Sequence, residues 1–302
     1  MIKSITVTNY LGDRLKLELA RPELSGFAVR SVTGLGPGKA NINTSELSTT
    51  DGGLFNSSRL PVRNIVLSLE FLWGSTIEET RQKSYKYFPL KRQVTLLVET
   101  DNRVAEISGY VESNEPTIFS QNEGSDISII CPDPYFYSAG EDGIMSTVFY
   151  GAEPLLEFPY NNDAPIEYSS IDKATDKTLV YPGDAETGVT IRIHAIGEVH
   201  NIALHHRNVD TSGSIRIDTA KLKTLTGSTM VAGDDIIITT MKGNKSAKLI
   251  RDGKTTKILN CLDKNVTWFQ LVKGENIFSY EAEDGITNLC VTVENRVMYE
   301  GV

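Results

Sequence analysis

The sequence has few cysteines, no long apolar run and no cluster of basic residues. Its three cysteines, Cys131, Cys261 and Cys290, lie far apart in apolar, strand-like stretches, which favours buried thiols over a disulfide or a metal ligand. No window approaches the roughly 20 apolar residues of a membrane span, and the first residues alternate like a strand instead of forming a secretory signal. We therefore expect a protein made and kept in a cytoplasm, with no membrane partner.

Positive charge is also scarce. The 302 residues carry a formal net charge of −9, whereas binding to nucleic-acid phosphates requires clustered Lys and Arg. This argues against nucleic acid as a ligand. With 40% hydrophobic and 23% charged residues, the composition is typical of a soluble globular protein. A chain of this length fits two domains of about 100 to 200 residues each.

The stretch Ile127–Tyr137 predicts the boundary between these domains. Its first residues form a β-branched run suited to a buried strand, and Pro132 and Pro134 end that strand because proline cannot donate to a ladder. Residues 138–143 are small, acidic and glycine-bearing, as in a hinge. We predict an N-terminal domain over 1–137, a linker over 138–165 and a C-terminal domain over 166–302.

The N-terminal domain alternates with period two in several segments, including Ser4–Tyr10 and Asn64–Phe71, which predicts a β-rich fold. One helix is expected from about Ile77 to Phe88, because Thr76 and Glu79 form a capping box before it and Pro89 ends it. Residues 41–58 are polar and lack periodicity. A loop of this length is more often functional or interface-forming than idle.

The C-terminal domain shows short strand-like segments from Val189 to Tyr299, among them Trp268–Val272, separated by turns such as Asp252-Gly253. There is no helical window between them. This pattern predicts an antiparallel β-sandwich.

Motifs for phosphate and metal chemistry fail on inspection. The cluster Gly34–Gly38 resembles a phosphate loop, but Thr33 replaces a required glycine and Ala40 replaces the magnesium-binding hydroxyl. His205 and His206 are strand neighbours that point to opposite faces, so they cannot share a metal ion.

The sequence also contains no recognisable arrangement of catalytic groups. Asp234-Asp235 and the pair Glu281 and Glu283 could supply two carboxylates, but their neighbouring glycines favour solvated turn residues. No catalytic, cofactor-binding or metal-binding residue is predicted. The sequence therefore favours a structural or interaction protein over an enzyme.

Several motifs, taken in order, resemble the distal tail (Dit) proteins of long-tailed bacteriophages. They are spread over nearly the whole chain: residues 63–67, the single helix, and residues 87–92, 131–137, 183–188, 233–236, 268–276 and 299–302.

The resemblance implies a mainly β protein: an N-terminal sandwich or barrel-like belt domain with one helix, and a C-terminal galectin-like antiparallel sandwich. It implies a non-enzymatic component of the virion tail tip or baseplate, without cofactors. Its copies would form a hexameric ring that joins the tail tube to the tail-associated hub and receptor-binding proteins, with DNA only passing through the lumen. The lectin motif His-x-Asn-x-Arg is absent, so glycan binding is not implied.

The residues suggest an interaction surface for ring assembly and another for the alternative function, glycan binding. The loop over 41–63 carries Leu54 and Phe55 beside Arg59 and Arg63, an apolar-plus-arginine composition common at interfaces, so we expect it to reach an adjacent subunit. The alternative is a carbohydrate-binding module or adhesin that reads a cell-wall glycan through Trp268 or Tyr280.

Overall fold

The computed structural model describes residues 1–46, 51–72, 76–139, 143–150, 153–154, 169–170 and 176–302. The chain forms two compact units, Met1–Gly143 with Met298–Val302 and Ile144–Val297. This division differs from the predicted boundaries in two respects. Ile144–Tyr150, predicted to be linker, is a strand in the second unit, and the C-terminal residues belong to the first.

The described strands are numbered in chain order. Those before the second unit are β1 Ile2–Thr8, β2 Arg14–Glu18, β3 Phe27–Thr33, β4 Asn41–Glu46, β5 Gly53–Arg59, β6 Arg63–Phe71, β7 Gln93–Thr100, β8 Val104–Thr117, β9 Gly124–Cys131 and β10 Phe136–Ser138. Those that follow are β11 Ile144–Tyr150, β12 Glu153–Pro154, β13 Ser169–Ser170, β14 Lys177–Tyr181, β15 Thr190–Ala195, β16 His200–Arg207, β17 Ser212–Ile217, β18 Asp235–Thr239, β19 Ser246–Arg251, β20 Lys254–Lys257, β21 Gly274–Asp284, β22 Leu289–Arg296 and β23 Met298–Tyr299. The described helices are α1 Ile77–Tyr87 and α2 Thr219–Thr226.

The first unit is built on one antiparallel sheet with the order β2-β1-β7-β8-β9-β6-β3, and β10 pairs with both β8 and β23. Period-two alternation positions its core: Ile65, Leu67 and Leu69 of β6 are all buried because alternate residues of a strand share one face. The outer strands β2 and β3 also contact each other, which gives the sheet a barrel-like curvature.

The predicted helix of the first unit is confirmed. The N-cap hydroxyl of Thr76 accepts a hydrogen bond from the Glu79 amide at 3.2 Å, and α1 ends at Tyr87, two residues before Pro89. Its buried positions are the small residues Thr80 and Ser84. Small side chains allow the helix to lie close to the sheet.

The second unit is an antiparallel sandwich. One sheet has the order β11-β22-β15-β18-β19-β20 and the other β14-β21-β16-β17. Ile191 and Val293 of the first sheet line the same small internal space as Leu204 and Phe278 of the second, so the apolar faces of the two sheets pack on each other. The predicted mainly β fold is confirmed.

Two details of the second unit differ from the sequence prediction. Helix α2 was not expected; Asp218 caps it by accepting from the Ala220 and Lys221 amides, and Gly227 ends it with a positive φ of 91°. Trp268–Val272 is not a strand but an irregular segment in which Leu271 makes an isolated bridge. Within the described ranges, no helix is long and apolar enough to cross a membrane.

A buried histidine lies in the core of the sandwich. The ring of His206 is 5.2 Å from that of Phe269 and 4.7 Å from that of Phe278, between ring centres, and its Nε2 is 3.2 Å from Oδ1 of Asn276. Burial lowers the pKa of His206 below its usual range. Its neighbour His205 points the other way and is half-exposed, as the alternation of a strand predicts.

Lowering the pH from 7.5 to 5 is expected to destabilise the second unit through His206. Because burial holds its folded-state pKa below that of the unfolded chain, the stabilisation is complete above a pH of about 6.5 and is lost as the pH falls through the folded-state pKa. His206→Gln should remove this part of the pH dependence, and His205→Gln should keep it. Urea unfolding of the three proteins at both pH values measures the difference, and equal pH dependence in all three would contradict the assignment.

Candidate assembly interface

The segment predicted to be a loop, 41–58, forms an exposed β-hairpin. Strands β4 and β5 pair with each other in a separate two-stranded sheet, and every residue of both strands is exposed. Hairpins of two strands are at best marginally stable in water on their own. A ribbon of this kind gains stability when another surface covers it.

The hairpin carries apolar side chains on both of its faces. Phe55 is opposite Thr44 in the ladder, and Leu54 is opposite Ser45, so the two apolar residues point to opposite sides. Ile42, two residues before Thr44, lies on the face of Phe55. Leu54, Ile42 and Phe55 are 56%, 65% and 65% exposed. Residues 47–50, at the tip, lie outside the described residues.

Three of the four predicted interface residues, Leu54, Phe55 and Arg59, are exposed on this hairpin. The fourth, Arg63, is not. Its side chain is buried in the first unit, where the guanidinium stacks over the ring of Phe136 at 4.9 Å. Arg63 therefore makes its contacts within its own chain, and the predicted interface residues that are exposed are Leu54, Phe55 and Arg59.

The guanidinium of Arg63 is held by backbone carbonyl groups from three parts of the chain. Nε donates to Pro134 O at 2.6 Å, Nη1 donates to Gly34 O at 2.7 Å and Gly36 O at 2.6 Å, and Nη2 donates to Glu300 O at 2.6 Å. Burial lowers the pKa of Arg63 from its usual value. We call these four carbonyls with the guanidinium the Arg63 cluster.

The glycine-rich segment that resembles a phosphate loop is one wall of the Arg63 cluster. Gly34 has a φ of +86°, and a Cβ there would lie 2.2 Å from the carbonyl oxygen of Asn64. Only glycine fits this backbone position. The carbonyl oxygens of Gly34 and Gly36 accept from a guanidinium of the same chain, so this segment contacts Arg63 in place of a phosphate.

The cysteines are free thiols: Cys131 and Cys261 are buried and Cys290 is half-buried. Burial raises the pKa of Cys131 to about 11, so this thiol is protonated at neutral pH. Among the described residues, no three His, Cys, Asp or Glu side chains come together in a way that could hold a metal ion.

The carboxylate pairs have different environments. Glu281 and Glu283 are exposed, as predicted, but they lie in strand β21 and not in a turn. Asp234 is only 1% exposed, which overturns its interpretation as a solvated turn residue. Its Oδ1 accepts from Nε of Arg251 at 2.8 Å, and Asp235 next to it pairs with His194. Asp234 thus forms a buried ion pair with Arg251. The carboxylates of Asp234 and Asp235 have separate partners and do not face each other across a cleft.

The residues of the glycan alternative do not form one exposed surface. Tyr280 is 3% exposed and belongs to the sandwich core, so it cannot contact a glycan. Trp268 is half-buried, with Nζ of Lys245 5.5 Å from the centre of its ring.

Sequence reasoning missed one concave surface. A groove of about 570 Å³ lies on the four-stranded sheet, where its lining includes Asn201, Arg216 and Glu281. None of its lining residues is aromatic, so it offers no ring on which a sugar could stack. The groove therefore gives no support to the alternative function of glycan binding.

Comparison with known proteins places the fold. No protein-family model and no curated protein matches the sequence. The crystal structure of SPP1 Dit (gp 19.1), described as a paradigm of the hub adsorption apparatus in Gram-positive infecting phages, matches with a TM-score of 0.64 over 96% of this chain and 98% of its own, at 12% identity. The activated phage P2 baseplate with calcium contributes a chain with a TM-score of 0.45 and 14% identity, covering 98% of this chain and 99% of its own. Its strontium form gives 0.43 and 12%, with 97% and 98% covered. The resemblance to distal tail proteins is thus confirmed at the level of the fold.

Proposed function

We propose that this chain is a structural, non-enzymatic component of a phage tail tip or baseplate. Copies of it form a hexameric ring that joins the tail tube to the tail hub and the receptor-binding proteins. The observation that carries the proposal is the likeness to SPP1 Dit, which extends over 96% of this chain and so includes both compact units. A likeness confined to one sandwich would fit many unrelated binding modules.

The exposed hairpin supports the assembly step. A cyclic ring needs a heterologous interface, in which one face of a subunit meets a different face of its neighbour. Leu54 and Phe55 are each more than half exposed on a ribbon that none of the described residues of its own chain covers. We assign this ribbon to the contact with the adjacent subunit.

The charge of the chain supports a role as a conduit for DNA. Six copies at −9 each give the ring a formal charge of −54, and an anionic wall does not hold phosphates. Strands β8 and β9 contain no Lys or Arg, and Glu115 and Asp126, which are opposite each other in the ladder, are both exposed. We place the wall of the lumen at this end of the two strands; a lumen lined mainly by Lys and Arg would contradict it.

Removing the hairpin is expected to abolish ring formation and leave a folded monomer. Asn41 and Arg59 are paired in the ladder, so a short glycine linker can replace residues 43–58 without strain. Light scattering and negative-stain microscopy measure assembly, and circular dichroism measures folding. Wild-type protein should give six-fold particles and the truncated protein should not.

A matched control keeps the hairpin and changes apolar residues elsewhere. Ile118 and Phe119 are 44% and 99% exposed at the β8–β9 turn, and replacing both with serine should leave the particle mass unchanged. Rings that persist after truncation would refute the role of the hairpin. Wild-type protein that remains monomeric at every concentration tested would refute the ring itself.

A further inference from the structure

A second exposed surface of the first unit combines aromatic, aliphatic and basic side chains. The basic aromatic patch, as we name it, consists of Tyr10, Leu11, Leu90, Lys91, Arg92 and Tyr110. Its four uncharged members are between 47% and 67% exposed. Tyr and Arg in one exposed cluster are typical of a protein–protein contact, since tyrosine supplies buried area and arginine supplies directed hydrogen bonds.

Backbone and side-chain contacts bring these residues together from three segments. The guanidinium of Arg92 lies 5.1 Å from the centre of the Tyr10 ring. The Lys91 amide donates to Val111 O, and the Val111 amide donates to Arg92 O. These two hydrogen bonds place Lys91 and Arg92 beside Tyr110. The turn after β1 is anchored to α1, because Nδ2 of Asn9 donates to Lys86 O at 3.1 Å.

The patch has a net positive charge that no described carboxylate pairs with. Lys86, near its edge, is already paired with Asp13 at 3.1 Å, whereas Lys91 and Arg92 have no carboxylate within salt-bridge distance among the described residues. A partner for this surface must bring apolar groups together with carboxylates. Charge complementarity of this kind orients one protein on another.

The exposed hairpin of the same chain has this chemistry. Leu54 and Phe55 are flanked by Glu46 at the end of β4 and by Asp51 just before β5, and both carboxylates are exposed. In the single chain the hairpin and the patch do not cover each other, since Leu54 and Leu11 are 56% and 67% exposed. The hairpin supplies carboxylates and the patch supplies cationic groups, and both expose apolar side chains.

We propose that the hairpin of one copy docks on the basic aromatic patch of the next copy. Phe55 and Leu54 would pack against the apolar members of the patch, and Glu46 and Asp51 would approach Lys91 and Arg92. Because hairpin and patch are different surfaces of one chain, the contact is head-to-tail, as a closed ring requires. The inference rests on the proposed function and adds the receiving surface to it.

A pair of complementary variants tests the contact. Leu54→Ser/Phe55→Ser weakens the hairpin and leaves the patch intact, whereas Lys91→Glu/Arg92→Glu reverses the patch and leaves the hairpin intact. Each variant alone should remain monomeric, with self-association weakened at least about 100-fold, or about 2.7 kcal/mol. An equimolar mixture should form one-to-one heterodimers and nothing larger, because only one functional hairpin and one functional patch remain. Native mass spectrometry with one variant isotope-labelled identifies the pair.

The controls separate this inference from the proposed function. Lys254→Glu/Lys257→Glu makes the same change in charge at an exposed site of the second unit and should assemble like wild type. Glu46→Lys/Asp51→Lys in one copy should restore binding to Lys91→Glu/Arg92→Glu in the other.

If wild type forms rings but the mixture of hairpin and patch variants stays monomeric, the patch is not the receiving surface and the proposed function stands. If the patch variant assembles normally, the surface belongs to another tail protein and the inference is overturned. Wild-type protein that never assembles would overturn the proposed function and this inference together.

Discussion

Arg63→Met is expected to lower the free energy of unfolding of the first unit by about 4 kcal/mol. The substitution leaves four carbonyl groups without their donor, and a buried acceptor left unsatisfied costs about 1 to 3 kcal/mol. Water reaches part of the site, because Glu300 and Gly36 are exposed, so the sum falls below four full penalties. Methionine keeps most of the side-chain volume, which separates the lost hydrogen bonds from a cavity effect.

Hydrogen exchange with mass spectrometry measures this effect in each unit separately. Peptides from the first unit should lose protection, including the C-terminal peptide, because the Arg63 cluster binds Glu300 O and the Val302 amide donates to Leu35 O nearby. Peptides from the second unit should be unchanged. Arg59→Met, at an exposed arginine four residues away, is the matched control and should shift stability by less than about 0.5 kcal/mol.

Arg63→Lys distinguishes geometry from charge. A lysine keeps the positive charge but presents a compact ammonium group, whereas the planar guanidinium donates in three directions at once. We expect Arg63→Lys to retain less than half of the stabilisation. Full stability in the lysine variant would show that charge alone holds the cluster, and full stability in Arg63→Met would refute its structural role.

The burial of Arg63 was within reach of sequence reasoning. It lies on the same face of β6 as Ile65, Leu67 and Leu69, so the period that predicted those core residues also predicts that Arg63 points inward. Composition suggested an interface instead, because arginine next to exposed apolar residues is common there. At this position the periodicity was the stronger signal.

The hairpin of β4 and β5 was not predictable as a pair of strands. Its residues are exposed on both faces, so no alternation of apolar and polar residues exists in the sequence to reveal it. The apolar residues Leu54 and Phe55 stand out in the polar sequence, but their pairing into a hairpin does not; the role of the segment in assembly stays a prediction.

Helix α2 and the C-terminal strand β23 were missed for different reasons. The helix has eight residues, too few for a periodic pattern, although Asp218 and Gly227 are usual start and stop signals. Strand β23 pairs with β10, which is over 150 residues earlier in the chain. A pairing across that distance leaves no local trace, so the domain boundary drawn from composition could not include it.

Asp234→Ala is expected to lower the free energy of unfolding of the second unit by about 3 kcal/mol, because removing one partner of a buried ion pair leaves the other charge uncompensated. Arg251 donates to both carboxylate oxygens of Asp234 and has only 19% of its side chain exposed. Arg251 keeps its charge in the variant, because a guanidinium stays protonated at neutral pH even without the hydrogen bond to Asp234 that raises its pKa.

The same substitution frees the turn before β18. Oδ2 of Asp234 accepts from the Val231 amide at 2.9 Å, and Arg251 donates to Thr229 O at 2.7 Å, so the ion pair fixes the segment between α2 and β18. Peptides covering 219–234 should therefore show the largest gain in hydrogen exchange.

Two further variants test whether the stability lost in Asp234→Ala comes from the broken ion pair or from the removal of any carboxylate at this turn. Asp235→Ala removes the neighbouring carboxylate, which pairs with the half-exposed His194, and should cost less than about 1 kcal/mol. Asp234→Leu combined with Arg251→Met removes both charges and should recover most of the stability lost in Asp234→Ala, because apolar replacement of a buried pair is often nearly neutral. Urea unfolding measures all three. A double variant as unstable as Asp234→Ala would show that the hydrogen bonds to the turn, and not the buried charge, determine the stability of this region.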